Sequence, residues 1–180
     1  MFYIIVGSIT FIAFILLIIV IVYNKYQFCN IKVEEAEANI GIDLNKKLDL
    51  IRRCVPIIKD ELKLKDFLEE VNDINESELS HFELNNKLNE YSKKLFNTVD
   101  DNDKLYKSDA LVKILNELNE NETDLIGTIK FYNDTIVDYN HLILAFPSNL
   151  IRYIFGYKKK EFYAHEKREV FEILKDDKKN

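Results

Sequence analysis

Residues 40–62 read IGIDLNKKLDLIRRCVPIIKDEL, and the apolar positions Ile40, Leu44, Leu48, Ile51, Val55, Ile58 and Leu62 follow one another in steps of four and three. Such steps place all seven side chains along one side of a helix, close to a heptad seam. The spacing predicts a helix over about residues 30–71. Pro56 lies inside it; proline carries no N–H, so the carbonyl of Arg52 loses its helical donor and a kink is expected there.

Toward the N-terminus, residues 2–23 read FYIIVGSITFIAFILLIIVIVY and carry no charge. At about 1.5 Å per residue this run spans roughly 33 Å as a helix, enough to cross a hydrocarbon core of about 30 Å. A cleaved signal peptide is the alternative, but no basic residue precedes the run and no Ala-x-Ala site closes it. The Tyr26-Gln27-Phe28 that precedes Cys29 is not a lipobox either. The sequence therefore predicts a lasting anchor over residues 1–23, touching the bilayer through residues 2–23. Lys25, Lys32, Lys46 and Lys47 follow the span, so the excess of positive charge puts the C-terminal side in the cytoplasm and the N-terminus outside.

Downstream, Asn72-Asp73-Ile74-Asn75 is a polar break. Ser80 and Glu83 read as a capping box opening a helix over about 80–98, with Leu84, Leu88, Tyr91 and Leu95 as its apolar stripe. A third helix, about 109–145, carries Leu111, Ile114, Leu118, Leu125, Ile129, Tyr132, Ile136, Tyr139 and Ile143, and stops before Pro147. A short fourth, 148–155, ends at Gly156 as a C-cap. No period-2 alternation occurs. The predicted fold is all-α: an N-terminal transmembrane helix followed by an antiparallel up-and-down, four-helix-type bundle over 24–160. Residues 161–180 form a charged tail that is either one more exposed helix or disordered.

The chain holds 25 basic and 31 acidic residues, all outside the apolar run. Residues 24–149 carry 16 basic and 25 acidic side chains, whereas residues 150–180 carry 9 and 6. An acidic body is a poor ligand for phosphate backbones, so nucleic acid is not expected as a partner. Cys29 and Cys54 have no ligand spacing and read as reduced, incidental thiols.

Tyr23-Asn24, Val33-Glu34-x-Ala36, the run from Ile40-Gly41 through Asp49-Leu50-Ile51, and then Val55 and Lys59 form a pattern. It continues at Glu122, Tyr132-Asn133-Asp134, Val137-Asp138-Tyr139-Asn140, residues 146–150 (FPSNL) and Gly156-Tyr157-Lys158. In order and spacing this resembles the LemA family at both ends of the chain. Residues 60–118 match only in helical character. Arg52 stands where the family has proline, with Pro56 one turn later, and Asp60-Glu61 replace its Gly-Tyr. The resemblance implies a single-pass bacterial membrane protein with a cytoplasmic helical bundle, and no established activity. Family members tend to be encoded near membrane-associated peptidases, which hints at partnership.

The residues themselves give little chemistry. Glu78-x-x-His81 and Asp138-x-x-His141 echo the Glu-x-x-His pairs of di-metal bundles, but further inward carboxylates are not evident. A metal-dependent enzyme is thus the weakest reading; solvated histidines, His165 among them, are the simpler one. No activated nucleophile or Gly-rich phosphate loop is present, so neither catalytic residues nor a cofactor are expected. Tyr132 with Tyr139, and Asn133 with Asn140, repeat along one helix face as core tyrosines and bundle-bridging asparagines. Candidates for a partner surface are Lys46, Lys47, Asp49, Arg52, Asn133, Asn140, Lys158, Lys159 and Lys160. Each lysine or arginine has a plainer reading as a solvated face. Residues 150–160 join an apolar-aromatic stretch to three lysines. They either rest on the inner leaflet or pack their apolar half on the bundle, and packing is the preferred reading. The function expected is a non-enzymatic adaptor or scaffold, homo-oligomeric or with unidentified protein partners. A regulator of membrane protein quality control is the runner-up.

Overall fold

The computed structural model describes residues 1–163. Four α-helices account for most of them: α1, Phe2–Leu62; α2, His81–Asp100; α3, Asp109–Leu144; and α4, Ser148–Phe155. Short 3-10 turns lie at Glu69–Val71, Glu76–Glu78 and Leu105–Lys107. Among the described residues there is no strand, as the absence of period-2 alternation requires.

The anchor and the first bundle helix are one element. α1 runs for 61 residues, with Pro56 inside it. Its residues 2–17 are exposed throughout, an apolar surface that water does not tolerate at this length. By length and composition α1 fits a single-pass membrane anchor.

The C-terminal end of α1 falls nine residues before the expected 71. Lys63 takes the left-handed conformation at φ 54° and the Leu64 N–H bonds the Lys59 carbonyl at 3.1 Å, which closes the helix as a Schellman motif does. The chain then doubles back. Lys59 pairs with Glu69, and the Arg52 guanidinium donates to the carbonyls of Val71 (3.1 Å) and Ile74 (2.9 Å). Val71, where the helix was expected to end, enters the core, fully buried, from this returning segment.

The contacts divide the described chain into two compact units, Met1–Glu37 with Phe131–Phe162, and Ala38–Lys130 with Tyr163. In the second unit α3 runs antiparallel to α1: Arg53 meets Glu117, Lys47 meets Glu122, and the Asp43 carboxylate accepts the Thr128 hydroxyl. α2 runs in the same direction as α1, since the returning segment delivers His81 to Gly41 and Asn89 to Lys47. The Ser80–Glu83 capping box forms in both directions, Glu83 N–H to Ser80 Oγ at 3.2 Å and Ser80 N–H to the Glu83 carboxylate at 3.0 Å. Leu44, Leu48, Ile51, Leu88, Leu95 and Leu118 are fully buried in this unit.

The first unit joins residues 22–33 of α1 to the C-terminal half of α3 and to α4. Its core is Val22, Tyr26, Val33, Ile136, Tyr139, Ile143 and Ile151. Gly156, at φ 71°, caps α4 in the left-handed conformation that glycine adopts without a Cβ penalty.

Candidate functional site at the end of the apolar run

The first unit carries the more distinctive surface. Where α1 leaves its uncharged stretch, Tyr26 is fully buried and gives its hydroxyl to the Ser148 carbonyl at 3.3 Å. Tyr157 stacks on it at 4.3 Å and 17°, and Tyr139 meets it edge-on at 6.3 Å. Gln27 Nε2 donates to the Tyr157 hydroxyl at 3.3 Å. Burial, first of all, pushes the Tyr26, Tyr139 and Tyr157 hydroxyls above their ordinary value, so they stay protonated.

Asn140 fixes the segment after α4. Its Nδ2 donates to the Lys160 carbonyl at 2.9 Å, and its Oδ1 accepts the Lys160 N–H at 3.0 Å. The two bonds hold the N–H and C=O of one residue, as a neighbouring strand would. The Lys160 ammonium lies 5.4 Å from the centre of the Tyr139 ring. The bridging role expected for Asn140 is therefore made with a backbone rather than another helix.

A groove of about 720 Å³ opens between α1 and α3 in the same unit. Its walls change in character along α1: Ile18, Ile21 and Val22 are apolar, then Lys25, Phe28 and Lys32 follow. α3 contributes Phe131, Asp134, Asp138 and His141, and Phe146 and Pro147 close one end. Lys32 Nζ sits 4.6 Å from the centre of the Phe28 ring. Cys29 lies in this groove, half-buried; burial first, then the Asp138 charge, raise its thiol, while Lys32 and Lys25 oppose them. Cys54 is buried deeper, in the second unit, and burial pushes it up to about 12. Both shifts disfavour the thiolate, the form in which a cysteine acts as nucleophile.

The residues expected at a partner surface are scattered. Lys46 and Asp49 are exposed, as are Lys158 and Lys159. Asn133 is half-buried. Lys47 is not a surface residue: it is 1% exposed, 3.1 Å from Glu122 and 2.7 Å from the Asn89 amide oxygen. Arg52 is taken up by the returning segment described above. Both depart from the expectation for the same reason, that a long side chain on a helix flank reaches whatever packs beside it.

Of the histidine pairs, His81 is half-buried at the start of α2, and a Cβ on Gly41 would lie 3.0 Å from its Nε2. Glu78 is exposed and accepts from Asn75. Asp138 and His141 are exposed on α3 and line the groove. Among the described residues no three His, Cys, Asp or Glu side chains group as metal ligands do. His165 lies outside the described residues, as does most of the charged tail.

Comparison with protein-family models matches residues 36–173 to the LemA family. That stretch is well over half of the chain. The chain belongs to the LemA family. The match begins inside α1, thirteen residues past the uncharged run. It covers the helices of the second unit, α4, and the Tyr139, Asn140 and Tyr157 of the site. No curated protein matches the chain. No solved structure matches it either.

The sequence pointed to Asn140 and to the 158–160 lysines, and missed the groove. Phe28, Phe131 and Phe146 line it, all exposed aromatics, Phe28 on α1, Phe131 on α3 and Phe146 in the link before α4.

Proposed function

We propose that this LemA-family chain is a membrane-anchored, non-enzymatic helical adaptor. Residues 2–23 hold it in a bacterial cell membrane as a single pass, N-terminus outside, and the helices face the cytoplasm. The observation that supports this is the groove. It begins on the apolar run and ends among charges, the gradient that a second membrane-crossing segment also follows as it leaves the bilayer. Its walls offer both signs, Lys25 and Lys32 against Asp134 and Asp138, which suits recognition of another chain's juxtamembrane charges. A regulator of membrane protein quality control would use the same groove, since its client or protease partner would itself be a membrane protein.

Proximity labelling in the native host, with the labelling enzyme fused after Asn180, tests the reading against an anchor-only control. Integral membrane proteins labelled by the full chain, absent from the control and reduced by Phe131→Glu, are the expected result. An active fusion that labels nothing beyond the control would refute it.

A further inference from the structure

α4 has two unlike sides. Ser148 and Ile151 are buried, and Phe155, in line with them, packs its ring 5.3 Å from that of Tyr23. The neighbouring stripe, Leu150, Tyr153 and Ile154, stands at i, i+3 and i+4 and is 58%, 75% and 71% exposed. Phe146, just before the helix, is 78% exposed. The apolar half of residues 150–160 was expected to pack on the bundle; Ile151, Phe155 and Tyr157 do so, and Leu150, Tyr153 and Ile154 do not. A concentration of large apolar side chains on one exposed face marks an interaction surface.

What covers it follows from where α4 is held. Tyr23 is the last residue of the apolar run, so the Tyr23–Phe155 contact sets α4 at the level where α1 leaves its apolar stretch. Lys158 and Lys159 follow the glycine cap, both exposed, and Arg152 is half-buried on the helix. Glu161 is the nearest acidic residue in sequence. Basic groups beside an apolar helix face are the composition of an element that lies in a headgroup layer. A helix of eight residues would not form alone on a membrane, but here ring contacts and the Gly156 cap hold it ready.

We propose that α4 is an interfacial helix, its Leu150, Tyr153 and Ile154 face seated among the lipids around α1 and its Lys158 and Lys159 on anionic headgroups. The proposal rests on the membrane-anchor reading, and the test separates the two.

The chain contains no tryptophan, so one introduced tryptophan reports its own surroundings. Ile154→Trp, Leu16→Trp and Ile42→Trp, each at an exposed apolar site, are compared in the full chain. The chain is reconstituted in vesicles of phosphatidylethanolamine with phosphatidylglycerol carrying shallow or deep nitroxide lipids. Leu16→Trp should be quenched best by the deep nitroxide and Ile42→Trp by neither. For a depth of roughly 5–10 Å, Ile154→Trp should be quenched about twofold better by the shallow nitroxide. Ile154→Trp as weakly quenched as Ile42→Trp, with Leu16→Trp quenched, would overturn the proposal and leave the anchor standing. An unquenched Leu16→Trp would overturn both. Blue-shifted, unquenched Ile154→Trp emission that depends on the protein-to-lipid ratio would assign the face to a second copy and overturn the proposal. Leu150→Trp repeats the measurement on the same stripe. In phosphatidylcholine alone the Ile154→Trp quenching should fall; no change would overturn the role given to the lysines.

Discussion

Lys47 keeps 1% of its surface exposed, while its partner Glu122 keeps 34%. Burial lowers the Lys47 ammonium's pKa, and the Glu122 charge works against that shift. The charge is thus a cost partly offset by its pairing, so an apolar side chain of similar shape should replace it without harm. Lys47→Met is expected to melt within about 1 kcal/mol of the parent in detergent, whereas Lys47→Glu, a buried charge beside Glu122, should lose about 3–5 kcal/mol. A large loss in Lys47→Met would show that the pair itself carries the stability. Its position was legible in principle: Lys47 is three residues after Leu44 and four before Ile51, inside the apolar stripe. Its charge alone argued for the surface. Cys54 gives a pH signature. Its folded pKa, about 12, lies above its ordinary 9.0, so an unfolded chain releases this proton first. Its contribution is therefore whole below pH 9.0 and is lost as pH rises toward about 12. The buried tyrosines act in the same direction from their ordinary 10.0 upward. The urea midpoint should thus fall more steeply between pH 9 and 10 in the parent than in Cys54→Val, where Cys29 alone of the two raised thiols remains. An identical profile in the two proteins would exclude the thiol as the source.

At the scale of elements, two helical glycines have opposite settings. Gly127 in α3 is exposed with nothing within 4 Å of an added Cβ. Gly127→Ala should stabilise by about 1 kcal/mol, the intrinsic helix preference. Gly41 in α1 would set its Cβ 3.0 Å from His81 Nε2 and 3.3 Å from Cε1. Gly41→Ala alone should therefore gain nothing, while in a His81→Ala background it should recover about 1 kcal/mol. Equal gains in both backgrounds would show that the ring does not constrain Gly41. Helix starts and stops were largely readable because their chemistry is local: the Ser80–Glu83 box, Pro147 and Gly156 act within a turn. The end of α1 was not. Leu64, Leu68 and Val71 again stand four and three apart, two residues out of step with Leu62, and that spacing suits a helix whether α1 runs on or the chain returns beside it. Only Lys63 and Leu68 at positive φ distinguish the two, and neither residue type announces that conformation. The direction of α2 depends on this return, so it was equally out of reach of periodicity.

For the whole molecule, the proposed function and the interfacial role of α4 depend on one property of α1. It carries the uncharged run into the helical body without a break, fixing the groove and α4 at the place where the apolar stretch ends. The family was legible from motifs at both ends of the chain; the groove was not, because it is assembled from residues of α1 and α3 far apart in sequence. Partner chemistry lies further off still, since exposed aromatics mark a surface without naming what covers it. The most direct test is a spin-label scan of residues 14–34 in the reconstituted full chain, reading oxygen against water-soluble nickel accessibility at each site. A helical period unbroken from 14 to 34 is expected, with lipid exposure ending near Tyr23 and the α3-facing positions, Tyr26 and Val33, protected from both reagents. Loss of that period between Asn24 and Asn30, or nickel access throughout residues 14–23, would contradict that expectation.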